Sequence, residues 1–341
     1  MNIVVLAGGI STERDVSLIT GKNVVKALRG CGENAVLLDV FLGYNGDAAT
    51  FFESSDGNVN AVNAIGIVDP SIDDIKKARK DDSNALFGNN VIEICKMADI
   101  VFIALHGEDG ENGKVQATFD LLDIKYTGSG CIASAMAMNK YISKQMMDAN
   151  GIRNAKYSFV TKNSADIRYE YPCVIKPTSG GSSVGISIVK SKEDFDEAVK
   201  TAFRYEDEII IEEFIEGREF SVGVLGDTVL PPIEIIPKEG FYDYKNKYQE
   251  GMTIEICPAE LSEADTKRLQ KNTKRVFDVL NLEVYGRIDF ILSKDNNEFY
   301  CLEANSLPGL TSLSLLPQEA KAIGIEYPDL CKKIIELSQN K

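Results

Sequence analysis

Met1-Asn2-Ile3-Val4-Val5-Leu6-Ala7-Gly8-Gly9, with the segment that follows it, sets the fold class. Residues 3–7 form a short apolar run closed by two glycines, which predicts a buried strand meeting a tight turn. Residues 15–28 then place Val16, Ile19, Val24 and Leu28 at helical spacing and stop at Gly30-Cys31-Gly32. A second apolar run at 35–40 predicts another strand. Strand, helix and strand in that order predict a parallel sheet and an α/β first domain.

Residues 43–66 are rich in Gly, Asn, Ser and Asp and read as a loop-rich insertion. Residues 90–97 read as a helix, and 99–105 as a buried strand running into His106-Gly107. A helix near 113–122 and the turn Thr127-Gly128-Ser129-Gly130 close a first domain, 1–128. A continuous helical pattern covers 132–150, followed by strands at 172–176, 186–189 and 208–214 around a helix at 192–203. These make an α+β second domain, 129–212. Antiparallel strands at 220–225 and 229–236 open the third domain, 213–341. A polar, aromatic loop at 238–251 follows, then a helix at 263–280, strands at 285–292 and 298–304, and a C-terminal helix.

A chain of 341 residues, 44% hydrophobic and 26% charged, has the balance of a globular protein of two or three domains. Its net charge of −15 argues against a nucleic-acid partner, because that affinity comes largely from Lys and Arg neutralising phosphates. Nothing approaches the ~18 apolar residues of a membrane span, and the N-terminus has no signal-peptide pattern, so a cytoplasmic protein is expected. The seven cysteines show no CxxC spacing, and His106 is the only histidine, which argues against multi-histidine zinc sites.

The strongest chemical signal is a hairpin. In Gly286-Arg287-Ile288-Asp289-Phe290-Ile291, Arg287 and Asp289 share one strand face while Ile288 and Phe290 take the other. Glu303 and Asn305 alternate likewise in 299–305, and Asp295-Asn296-Asn297 is a turn signal between the runs. Folding about that turn sets Asp289 nearly opposite Glu303. Two carboxylates and an amide oxygen suit Mg²⁺, whereas the plainer reading is a solvated polar face. The loop Ser306-Leu307-Pro308-Gly309-Leu310-Thr311 follows directly and can offer N–H groups to an anion.

Lys176-Pro177-Thr178-Ser179-Gly180-Gly181-Ser182-Ser183-Val184-Gly185 is a lysine-ended strand entering a Gly/Ser loop. Such a loop either cradles phosphate or is a hairpin tip; it is not a Walker A loop, because the lysine precedes the glycines. Gly8-Gly9-Ile10-Ser11-Thr12-Glu13 lacks G-x-G-x-x-G spacing, which argues against an NAD(P)-dependent dehydrogenase. Glu13 is either a ligand group at the end of a strand or an acid favoured by the helix dipole. Three tyrosines and two lysines in 241–248 suit closure over an anionic substrate, or simple loop packing.

Together these stretches resemble the ATP-grasp superfamily and, within it, the D-alanine–D-alanine ligases. The matching segments are GGISTERDVS (8–17), ALHGEDGENG (104–113), YTGSG (126–130), MNK (138–140) and VIKPTSGGSSVG (174–185). They continue through IIEEFIEGREF (210–220), FYDYKNKY (241–248), GRIDF (286–290) and LEANSLPGLTSLS (302–314), in order over nearly the whole chain. The resemblance implies an ATP-grasp fold behind the Rossmann-like domain, and a ligase for peptidoglycan precursors. ATP would phosphorylate one D-alanine to an acyl phosphate, and the amine of a second would displace phosphate.

By that resemblance Lys140, Lys176 and Ser183 hold ATP phosphates. Glu212, the main chain of Glu213 and Ile215, and Glu219 bind adenine and ribose. Asp289, Glu303 and Asn305 hold two Mg²⁺ ions, for which Mn²⁺ can substitute. Arg287 and the Gly309 N–H stabilise the tetrahedral oxyanion. Glu13 takes the first ammonium in a group with Ser182 and Tyr248. Ser314 holds the second carboxylate, Lys247 reaches the phosphate, and His106 and Glu111 lie by the first substrate. For His106 a purely structural role stays open. Tyr248 stands where D-lactate-using relatives usually carry histidine, which disfavours D-lactate, so D-serine stands ahead of D-lactate as the alternative second substrate. A homodimer is implied. A nucleotide-binding protein without catalysis fits poorly, because it needs no oxyanion arginine.

Overall fold

The computed structural model describes residues 1–11, 13–53, 72–79, 83, 85–164, 167, 169–181, 184–238 and 252–341. The expected ligand residues Ser182, Ser183, Lys247 and Tyr248, most of the 43–66 insertion, and the lid loop 239–251 lie outside them.

Strands β1 (Asn2–Ala7), β2 (Asn34–Asp39) and β3 (Ile100–Ile103) form a parallel sheet in the order β2-β1-β3. Register runs Ile3↔Ala35 and Ile3↔Ile100. Their side chains are almost wholly buried, as apolar strands with both faces covered must be. The helix Arg14–Gly30 lies against this sheet and meets the C-terminal helix Tyr327–Gln339. Leu330, Ile334 and Ile335 of that last helix enter the same core as Val4 and Leu28, so the chain's end returns to its beginning.

A second sheet, antiparallel throughout, contains β4 (Tyr157–Thr161), β5 (Cys173–Pro177), β6 (Ser187–Val189) and β7 (Glu208–Glu213) in the order β4-β7-β5-β6. The third is built from β8 (Gly217–Leu225), β9 (Thr228–Val229), β10 (Ile233–Pro237), β11 (Thr253–Ile256), β12 (Tyr285–Ser293) and β13 (Phe299–Asn305). Its order is β11-β10-β8-β12-β13, with β9 on β8. Phe220, Val222, Ile288 and Phe290 line one face and pack with Leu269, Val276 and Phe277 of the helix Glu263–Val279.

Two local expectations change in the structure. The helical pattern at 132–150 is two helices, Cys131–Met138 and Lys140–Ala149. Asn139 is extended between them, and its side chain accepts the Ile142 N–H at 3.0 Å, capping the second helix. Ala133, Ala137 and Met147 of this pair dock into the core of the third sheet. The alternating run at 229–236 is likewise split. Pro231 and Pro232 fall between β9 and β10, because proline has no N–H for a ladder.

Candidate active site

The β12–β13 hairpin supplies the centre. Arg287 pairs with Asn305 and Asp289 with Glu303, after which the register slips so that Phe290 meets Cys301. That bulge leaves Leu302 over and turns the strand. Phe290 and Cys301 therefore both enter the core while Asp289 and Glu303 face the cleft together. Asp289 is almost buried and fully engaged. Arg287 grips it with Nε on Oδ1 at 3.0 Å and Nη2 on Oδ2 at 2.9 Å. Ser221 Oγ donates to Oδ1 at 2.6 Å, and Asn305 Nδ2 to Oδ2 at 3.0 Å.

Facing this hairpin is the Gly/Ser loop. Lys140, Lys176, Ser179, Gly180, Gly181 and Glu303 line a cleft between them. Lys140 Nζ donates to the Gly180 carbonyl at 2.8 Å and lies 3.7 Å from Glu303 Oε2. Lys176 Nζ meets Glu212 Oε2 at 2.8 Å, while Lys144 Nζ meets the other oxygen at 3.0 Å. Burial alone would raise the Glu212 carboxyl, but the two lysines outweigh it and hold it below its ordinary value. Burial pulls the Lys144 ammonium down, and Glu212 counters that.

Lys144 was not among the expected ligands, although its spacing marks it. It stands one helical turn after Lys140, so both project from one helix face, Lys140 into the cleft and Lys144 onto Glu212 behind it. Ser221 was also missed; only strand pairing reveals that it opposes Asp289.

Elements from the N-terminal part of the chain border the cleft. Glu13 precedes the helix Arg14–Gly30 without capping it by its side chain, and is 8% exposed. A Cβ built on Gly107 would lie 2.9 Å from Glu13 Oε2, and one on Gly181 would lie 3.0 Å away. The Glu13 carboxylate thus sits between the His106–Gly107 turn and the Gly/Ser loop. Glu111 accepts the Gly107 N–H at 3.0 Å, and burial followed by the Glu13 charge pushes its carboxyl up to about 8. His106 Nε2 lies 3.0 Å from Thr20 Oγ1, and burial holds its imidazole below the ordinary value.

Ser314 Oγ accepts the Thr311 N–H at 3.0 Å and lies 2.8 Å from where a Gly309 Cβ would be. Gly309 and Ser314 are thereby drawn into one tight loop below the hairpin. The Glu213 side chain accepts the Lys156 N–H at 2.9 Å and its own N–H donates to the Lys156 carbonyl at 2.9 Å, while Ile215 follows β7 and Glu219 lies within β8.

Two family models match the chain. "D-ala D-ala ligase N-terminus" covers residues 2–129 and "D-ala D-ala ligase C-terminus" covers 141–336. The D-alanine–D-alanine ligase of Pediococcus pentosaceus is 45% identical over 98% of this chain and 97% of its own length. That of Lacticaseibacillus casei is also 45% identical, over 98% and 95%. The crystal structure of the Bacillus anthracis D-alanine–D-alanine ligase is 31% identical, with a TM-score of 0.78 over 100% of this chain and 98% of that one. The same enzyme complexed with ATP superposes with a TM-score of 0.76. With full-length relatives, both family models and an ATP-bound neighbour in agreement, the chain belongs to the D-alanine–D-alanine ligase family.

Proposed function

We propose that this chain uses ATP to join two molecules of D-alanine into D-alanyl-D-alanine, releasing ADP and phosphate, for cell-wall precursor synthesis. The observation that carries this reading is the hairpin: an arginine forked on Asp289, with Glu303 directly opposite, facing a lysine-lined glycine loop.

On this reading Lys140 and Lys176 neutralise the ATP phosphates in the cleft, together with Ser183 of the loop. Glu212, kept ionised by its two lysines, accepts from the adenine amino group beside the Glu213 and Ile215 main chain, and Glu219 takes the ribose. Asp289, Glu303 and Asn305 offer only oxygen donors, the set Mg²⁺ prefers, so the residues present fit two such ions. Bound there, Mg²⁺ or Mn²⁺ would offset phosphate charge and polarise the transferred group.

Glu13 takes the ammonium of the first D-alanine, with His106 and Glu111 shaping that pocket. The carboxylate of this D-alanine attacks the γ-phosphorus, and ADP leaves. The second amine then attacks the acyl carbon, and phosphate departs with the oxygen that bridged carbon and phosphorus. Arg287 and the Gly309 N–H hold the tetrahedral oxyanion, where each such donor contributes about 3–4 kcal/mol. Ser314 orients the second carboxylate, and Lys247, Tyr248 and Ser182 close the site.

The reading extends to a cytoplasmic homodimer of three-domain chains, 1–128, 129–212 and 213–341. Among the described residues no helix is long and apolar enough to cross a membrane.

Phosphate release with Mg²⁺-ATP and D-alanine tests the assignment, with mass spectrometry of the product and D-serine and D-lactate in competition. Dominant D-alanyl-D-alanine is expected. A product dominated by D-serine or D-lactate would reassign the second substrate, and no D-alanine-dependent phosphate would remove the function.

A further inference from the structure

The sheet face that carries Arg287 and Asp289 also meets a carboxyl group with no part in the chemistry above. Glu319 lies in the helix Leu315–Ala322 and is fully buried. A Cβ added to Gly223 would fall 2.5 Å from Glu319 Oε2 and 2.3 Å from Leu316 Cδ1, so this helix rests on β8 at that glycine. Gly223 is the register partner of Arg287, and Ser221, two residues earlier, is that of Asp289. Residues opposed across antiparallel strands project to the same face. Glu319 therefore lies beside the Arg287–Asp289 fork.

Among the described residues no side chain hydrogen-bonds either carboxyl oxygen of Glu319, and the adjoining Gly223 N–H is the one donor that bears on the group. Burial pushes the group well above the usual carboxylate range; the Arg287 charge and the adjoining Gly223 backbone ease this only in part. An unsatisfied buried carboxyl weakens a fold, and an apolar side chain of similar size would pack there at less cost. Such an orphan needs an explanation beyond stability.

The fork supplies one. In this arrangement both Asp289 oxygens are committed to Arg287, Ser221 and Asn305. Asp289 has to relinquish part of that grip to hold a cation, and Arg287 must then stay aimed at the reacting carboxyl. We propose that Glu319 is a positioning residue that accepts the Arg287 guanidinium once Asp289 turns to the metal. The inference rests on the roles given to Arg287 and Asp289 under the proposed function. Charged or neutral, the carboxyl keeps an oxygen that can accept an N–H, and glutamine keeps one too.

Kinetics and ligand-free unfolding of the full chain test this, using Glu319→Met, Glu319→Gln, Arg287→Met and the double variant Arg287→Met/Glu319→Met. Glu319→Met is expected to unfold at a higher temperature than the parent while its kcat falls about 10- to 100-fold, the scale of a small misplacement at a reacting centre. KM for ATP should stay within about twofold, the limit of additivity for independent sites. Glu319→Gln should retain most of the activity. In the Arg287→Met background, Glu319→Met should change kcat by less than about twofold. Parent-like kcat in Glu319→Met overturns the inference, as does an equal loss in both backgrounds. A joint loss of stability and activity that glutamine does not rescue also overturns it. If Glu319→Met fails to fold, Glu319→Ala is read against the same kcat and background criteria. Parent-like activity in Arg287→Met would instead sink the roles on which the inference rests.

Discussion

The two sides of the cleft manage charge in opposite ways. Around β5, β7 and the helix Lys140–Ala149, basic groups lead: Lys144 and Lys176 share the single carboxylate of Glu212, and Lys140 projects beside them. Around β12 and the first domain, acids lead: the Arg287 charge acts on Asp289, Glu319 and Glu111, and Glu13 lies close by. On the proposed function, that contrast gives each ligand its side. A polyphosphate suits the first side. An ammonium and divalent cations suit the second, because each offsets the local excess of like charge. On the proposed function, Arg287 stands on the boundary, where charge would appear during acyl transfer.

The acid side is expected to show the largest effect. Glu303→Gln removes a charge from the place where the two sides face each other. Turnover should fall about 1,000-fold, the several kcal/mol a divalent cation gives to phosphoryl transfer, with the fold intact by circular dichroism. Near-parent turnover would take Glu303 out of the metal site. On the basic side, Lys144→Met leaves Glu212 with Lys176 alone. KM for ATP should rise about tenfold, matching the loss of roughly 1.4 kcal/mol in binding. The fold should lose about 1.5–3 kcal/mol in urea, the worth of a hydrogen bond to a charged group. An unchanged KM would make Lys144 purely structural.

The smallest effect is a pH slope. The Glu111 carboxyl stands at about 8 in the folded chain against an ordinary 4.5, so the folded state holds its proton more tightly than the unfolded one. Stability from this group is therefore greatest below about 4.5 and declines as pH rises to about 8. Urea midpoints at pH 5.5 and 8.5 in parent and Glu111→Gln should show a smaller decline in the variant. Equal declines would assign the slope to other groups.

How much of this was legible in the sequence depended on how local each feature is. The parallel start was readable because an apolar run, a helical period and a second run follow one another within forty residues. The hairpin was readable because alternation and an Asp-Asn-Asn turn specify a face and nearly a register. The bulge at Leu302 was not, since one leftover residue in a strand carries no compositional mark. Lys144 was within reach through its four-residue spacing from Lys140. Ser221 and Glu319 were out of reach, because their importance arises only where distant strands and a helix meet at Asp289 and Gly223. The break at Asn139 shows the same limit from the other direction. A helical period persists across it, and only the capping bond to Ile142 reveals two helices.

The most direct test follows one atom. With D-alanine labelled by ¹⁸O in both carboxylate oxygens, D-alanyl-D-alanine synthesis from Mg²⁺-ATP should deliver one labelled oxygen to each released phosphate. That oxygen would have bridged carbon and phosphorus in the acyl phosphate, while the other stays in the peptide carbonyl. Phosphate free of label, alongside dipeptide formation, would contradict attack by the carboxylate on the γ-phosphate and with it the assigned division of the cleft.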